Sequence, residues 1–232
     1  MQNYFIRLYS FAVLAYWCST LYGQNNVRLE FVPEIKAEAI KTGDNFYYLS
    51  NGDSLQIEEL KFYISGIKLL RNGAVVWEEP NSFHLVNNKD ARHRFIDLQV
   101  PADKVYDKII FNLGIDSSTN VSGAMGGDLD PSSGMYWTWQ SGYINLKLEG
   151  RYSGFTSKSG IYEYHLGGYL WPNYAMQTVE LPCSMSNSIR INMDMESFFS
   201  GIENKELTHI MSPSADAVLL SEKIKTIFSI AP

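Results

Sequence analysis

The segment SLQIEELKFYISGIKLLRNGAVVW, residues 54–77, decides the fold class. Leu55 and Ile57 alternate with polar neighbours, as do Leu60, Phe62 and Ile64, but the two sets are out of phase across Glu58-Glu59. Alternation at period two sends one side chain to a core and the next to water. The segment therefore predicts two strands in succession with a bulge or short break at the glutamates. Asn72-Gly73 then separates Ile67–Leu70 from Val75–Trp77. Asn-Gly supplies the two positive φ angles of a two-residue turn, so the chain reverses there into an antiparallel hairpin.

The same signals recur on both sides. Leu29, Phe31, Pro33 and Ile35 alternate with Glu30, Glu34 and Lys36, and Pro33 demotes that strand to an edge or a bulge. Further strands are predicted over 82–86, 94–100, 108–113, 143–151, 161–166, 178–181 and 188–195, all rich in β-branched and aromatic residues. Many short strands without alternating helices predict an all-β chain, an antiparallel β-sandwich with immunoglobulin-like layering. A C-terminal α-helix is expected over 213–228, with Ser212 as cap and Pro213 in its first position. Ala217, Leu220, Ile224, Ile227 and Phe228 lie on its apolar face. Between Asp116 and Gly134 the pattern stops in a long run of turn residues, and loops of that length are often functional or mobile.

With 232 residues, 45% of them hydrophobic and 19% charged, the chain buries a core and is not disordered. The net charge of −6 contains no basic run, which argues against a surface for nucleic acid. Residues 1–23 carry Arg7, no acidic residue, and an apolar stretch from Phe11 to Trp17, the outline of a secretory signal peptide cut after Gly23. Bulky Tyr16 and Trp17 before Cys18 argue against lipidation. Residues 24–232 then form a single domain, periplasmic or extracellular, in which Cys183 has no partner for an intramolecular disulfide. No later stretch approaches the ~18 apolar residues of a membrane span.

Three segments converge on one likeness. Leu113-Gly114-Ile115-Asp116, the run from Met135 through Trp137, Trp139 and Tyr143 to Gly150, and His165-Leu166-Gly167 together resemble the MbnP-like family, as does Glu59–Ser65. The resemblance implies an exported β-sandwich, some members of which bind copper in bacterial copper acquisition. It also implies a metal site with two histidines and a tryptophan oxidised to kynurenine, and a dihaem partner enzyme able to carry out that oxidation. Where family members often continue His-Leu-Gly with small residues and a cysteine, this chain has Gly168-Tyr169-Leu170-Trp171. The family's copper ligands do not transfer residue by residue.

Candidate ligands therefore come from the four histidines. None forms a close pair of the kind that marks a metal site by spacing, but strands can bring distant imidazoles together. His165, at a strand end before two glycines, His84 in Phe83-His84-Leu85, and His209 just before the helix are the metal candidates; the alternative for each is a hydrogen-bonded structural histidine. His93 sits among Arg92 and Arg94, which disfavour a cation. Trp137 and Trp139 share a strand face as possible oxidisable or stacking aromatics, or as core. Cys183 with Met185, and Met193 with Met195, are soft donors whose simpler role is core filling. Asp116, Asn120, Asp128 and Asp130 offer oxygens for structural calcium, although turn chemistry explains them more simply.

No nucleophile elbow, zincin motif or phosphate loop is present, and Glu58-Glu59 and Glu78-Glu79 point to opposite faces of a strand. The expectation is a non-enzyme that binds copper outside the cytoplasm. The alternative is an extracellular glycan- or protein-binding module built on aromatic loops around Tyr169, Trp171 and Tyr174.

Overall fold

The structure, a computed structural model, describes residues 23–140 and 142–231. The expected signal peptide, Gly23 apart, lies outside the described residues. Strands β1 to β8 are Gln24–Ile35, Glu38–Ala39, Phe46–Tyr48, Ser54–Arg71, Ala74–Glu78, Phe83–Asn87, Phe95–Pro101 and Lys108–Leu113. Strands β9 to β15 are Tyr136–Trp137, Gly142–Tyr152, Ile161–Gly167, Gln177–Pro182, Ser188–Asp194, His209–Ile210 and Phe228–Ile230. Helices α1 to α3 are Ser117–Val121, Met195–Ser200 and Ala215–Ile224.

The two strands read from residues 54–70 are one continuous strand, β4. The phase change is a bulge: Glu149 of β10 pairs with Glu59 and Gly150 with Ile57, leaving Glu58 as the extra residue. The hairpin forms at the expected place, with Arg71 opposite Ala74, Asn72 at φ 49 and Gly73 at φ 80. β4 organises the larger sheet, in the order β12-β8-β4-β10-β11-β14, with β3, β5 and β6 also pairing β4. The smaller sheet runs β15-β13-β1-β2, with β7 also on β1.

The inner faces of the two sheets meet through edge-to-face aromatics. Phe31 of β1 lies 5.6 Å from Phe62 of β4 and 5.7 Å from Phe111 of β8. Phe228 of β15 meets Phe111 at 5.7 Å from the side of the C-terminal strand. These side chains are buried with Leu29, Leu60, Leu98, Leu148 and Ile191, so the alternation read from the sequence is the inner face of a sandwich.

Three readings need correction. The sheets are mixed, because β1 pairs β13 in parallel and β11 pairs β14 in parallel. Those strands are joined through long stretches of chain, so no turn between them announces the pairing. Pro33 lies in a central strand rather than an edge. It falls in the gap where β7 has ended at Glu30 and β2 begins at Glu34, so its missing N–H breaks no ladder on that side. The helix is shorter than 213–228: Ser214, not Ser212, caps it by accepting from the Ala217 N–H at 3.1 Å. After Ile224 the chain passes through a 3₁₀ turn, Lys225–Ile227, into β15, whose Phe228 pairs Met193. The apolar stripe is nevertheless buried as expected, Ala217, Leu220, Ile224, Ile227 and Phe228 alike.

A second apolar cluster lies on the outer face of the larger sheet: Tyr63, Ile115, Leu129, Met135, Trp137, Tyr143 and Ile144. The segment from Asp116 to Gly134 covers it as a series of short helical turns. Tyr63 Oη donates to the Asp128 carbonyl at 3.1 Å, Tyr143 Oη donates to that of Leu129 at 3.2 Å, and the Asn120 side chain accepts from the Tyr143 N–H at 2.8 Å. Met195 opens α2 rather than continuing a strand, with Asp194 as its cap.

Candidate metal centre

Beside that aromatic cluster the outer face turns polar. Inward-facing Leu60, Phe62, Leu146, Leu148, Tyr164 and Leu166 force their neighbours outward. Strand register then lines the neighbours up in two rows, Glu59 opposite Glu149 opposite Glu163 opposite His209, and Lys61 opposite Lys147 opposite His165. Carboxylates placed directly opposite one another repel, and the cations of the next row relieve this. Lys61 reaches Glu59 at 2.7 Å, Lys147 reaches Glu149 at 3.2 Å, and His165 Nε2 lies 2.7 Å from Glu149 Oε1. Burial raises the Glu149 carboxyl, but the His165 hydrogen bond and the Lys147 charge outweigh it and hold the group below its ordinary value.

His165 is 8% exposed. Two residues along the same face, Gly167 has no side chain, and a methyl there would come within 2.8 Å of the Trp137 ring. The indole therefore rests on the sheet next to His165, itself only 6% exposed. Trp139 contacts it at 6.1 Å between ring centroids but is 66% exposed. The expected shared strand face does not hold for this pair. β9 ends at Trp137, and the chain turns at once, Gln140 N–H donating to the Trp137 carbonyl at 3.3 Å.

His209, exposed, occupies the neighbouring strand on the same outer face. Its Nε2 lies 2.9 Å from Glu163 Oε2 and its Nδ1 3.0 Å from Thr208 Oγ1. Glu163 is directly opposite His209, so His165 is the diagonal neighbour of His209, at a backbone separation of about 8 Å from two residues of strand rise and one strand spacing. The structure thus sets His165, His209 and Trp137 on one outer face, on neighbouring strands. It does not bring His84 to them: His84 pairs with inward-facing Ile64, on the other face and about three strand spacings, ~14 Å, away. There His84 Nε2 donates to Glu79 at 2.8 Å and Ser82 Oγ donates to the same carboxylate at 2.5 Å. His93 pairs with Asp90 at 3.0 Å.

The remaining donor sets are occupied by structure, apart from Met185, which is 48% exposed rather than filling the core as expected. Asp116 caps α1, accepting from the Thr119 N–H at 2.9 Å; Asp130 accepts from Ser132 N–H at 2.8 Å, and Asp128 from Leu85 N–H at 2.9 Å. Met193 and Met195 are core. Burial pushes the Cys183 thiol up to about 11, away from the thiolate a metal requires. Among the described residues no group of three or more His, Cys, Asp or Glu side chains is placed to hold a metal ion.

His165 and His209 nonetheless share one feature of metal-bound imidazoles in general. A metal-bound imidazole typically gives its other ring N–H to a carboxylate, which fixes the tautomer and raises ligand basicity. Both rings present Nε2 to a glutamate, leaving Nδ1 as the donor, with only a rotatable hydroxyl on that of His209. Two imidazoles on one face suit copper. The partner carboxylates were not singled out from the sequence. Glu163 stands two positions before His165 in the sequence, but its contact is with His209 across the strands, and Glu149 likewise meets His165 only through strand pairing.

A sequence profile of the MbnP family matches residues 24–212. No curated protein matches the chain in sequence. Among solved structures, MbnP from Methylosinus trichosporium is similar in fold, with a TM-score of 0.62 over 84% of this chain and 87% of that one at 16% identity. The profile covers every strand but β15, with every residue of the His165–His209–Trp137 neighbourhood, and the chain belongs to the MbnP family.

Proposed function

We propose that this protein is an exported copper-binding protein, working in the periplasm or outside the cell, that holds one copper ion between His165 and His209 beside Trp137. The observation that carries the reading is the register of β11 and β14, which sets two glutamate-buttressed imidazoles on one face next to a sheltered indole. The family resemblance supplies the metal's identity, and adds a dihaem enzyme as the oxidant of a tryptophan such as Trp137. The protein's own part is to orient the two rings, to keep their Nε2 protons on Glu149 and Glu163, and to shield one side of the site with Trp137. It is a binding protein rather than an enzyme. Among the described residues no helix is long and apolar enough to cross a membrane.

A second reading rests on the uncharged connections near Gly142, against which the Tyr169 ring packs. Trp139, Leu170, Tyr174 and Trp171, the last 91% exposed, make that end suitable for stacking on a glycan or for a protein contact.

The test is metal analysis of residues 24–232 after exposure to Cu(I) and to Cu(II) and removal of loose ions, with intact mass measured on material from the native host. The expected result is about one retained copper per chain, lost in His165→Ala and in His209→Ala and kept in His84→Ala. No retained copper overturns the reading and leaves the aromatic end as the functional surface. A mass gain fitting an oxidised tryptophan ties Trp137 to the partner enzyme.

A further inference from the structure

Met211 follows β14, and its surroundings differ from those of the other methionines near the core. Met135, Met193 and Met195 are fully buried, whereas Met211, like Met125 and Met185 elsewhere on the surface, is about half exposed, and of the exposed three it alone follows directly on the strand that carries His209. Its backbone position is bracketed by two contacts. Before it, Tyr164 pairs Ile210 and the Glu163 N–H donates to the Thr208 carbonyl at 2.8 Å. After it, a methyl on Gly168 would lie 3.2 Å from the Pro213 Cβ. The chain from 209 to 213 therefore stays alongside residues 163–168, and the register carries Met211 to the level of His165. Exposure alternates along it: His209 is exposed, Ile210 buried beside Tyr164, Met211 exposed again. Met211 thus shares the outer face of His209 and His165.

We propose that the Met211 sulfur is the third donor of this site and selects the cuprous ion. The inference rests on the copper reading above. A thioether is a soft, uncharged ligand that favours Cu(I), and two imidazoles with one thioether make a three-coordinate set with no anionic donor. An unbranched, solvent-exposed methionine gains little by packing, while its three rotatable bonds let the sulfur reach a neighbouring strand.

The experiment compares residues 24–232 with the Met211→Leu variant, which conserves volume and removes the donor. Far-ultraviolet circular dichroism and the melting temperature verify that both fold alike. Cu(I) affinity is measured by competition with a chromophoric chelator, Cu(II) affinity by competition with a weak chelator, and the ligand set by X-ray absorption at the copper edge. The expected result is a sulfur scatterer on Cu(I) in the parent that is absent from Met211→Leu. Cu(I) binding should also weaken at least about tenfold in the variant, while Cu(II) binding changes by less than about threefold. Copper held by nitrogen and oxygen alone, with unchanged Cu(I) affinity in Met211→Leu, overturns the role of Met211 and leaves the His165–His209 site standing. Equal weakening for both oxidation states overturns the selectivity. A parent that binds neither ion overturns the copper reading itself.

Discussion

Gly167 lacks the methyl that would collide with Trp137, and this places an indole on the sheet within two residues of His165. Glu149 works at the same scale, pulling His165 Nε2 and Lys147 Nζ toward one carboxylate. Its carboxyl titrates lower in the folded protein than its ordinary value of 4.5. A group depressed in this way stabilises the fold above the unfolded value, and the contribution disappears as pH falls through the folded one. Thermal melts from pH about 6 down to about 3 should therefore show parent and Glu149→Gln converging, with the parent more stable at the upper end. A gap that persists undiminished at the acid end would show that the carboxylate charge is not what stabilises this corner. His165 and His209 were readable as candidates from sequence, but their carboxylate partners were less so: Glu149 meets His165, and Glu163 meets His209, only through the pairing of different strands, although Glu163 stands two positions before His165.

At the scale of elements, the strands whose side chains alternate were legible almost to their ends, and so was the Asn72-Gly73 turn. That turn offers a direct test. Gly73 sits at φ 80 with open space around its missing Cβ, so an added methyl meets no atom and only the left-handed backbone is penalised. Gly73→Ala should cost about 1–2 kcal/mol, read from the urea midpoint at constant slope. An unchanged midpoint would mean that the turn relaxes into another form. The C-terminal helix shows the opposite case. Ile227 and Phe228 continue its periodicity, yet the chain leaves the helix before them because β13 offers an edge to which Phe228–Ile230 can bond. Periodicity cannot distinguish a buried residue on a helix from a buried one on the strand that follows it. The short strands β9 and β14 and the helix α2 have too few residues to show any period, and one of them carries His209.

For the whole molecule, the two sheets are held by the aromatic cluster around Phe31, which touches Phe62 and Phe111 edge to face. Truncating it opens a cavity where the sheets meet, and Phe31→Ala should lose about 3–5 kcal/mol of unfolding free energy, measured by urea denaturation. A loss under about 1 kcal/mol would indicate that the layers do not close on this residue. The outer-face cluster under residues 115–143 is a separate, smaller body of apolar contact that shields one side of the candidate site. The sequence by itself determined the class of fold, the positions of the long strands, the hairpin and the resemblance to the family, because alternation, turn chemistry and short motifs are local. Only the tertiary structure decided the parallel pairing of β1 with β13 and of β11 with β14, and with it which histidines share a face. The physical reason is that the partners of β-strands are chosen by burial across the whole sandwich. His84 and His165 look alike along the chain, yet one pairs with an inward-facing isoleucine and the other with an outward-facing lysine.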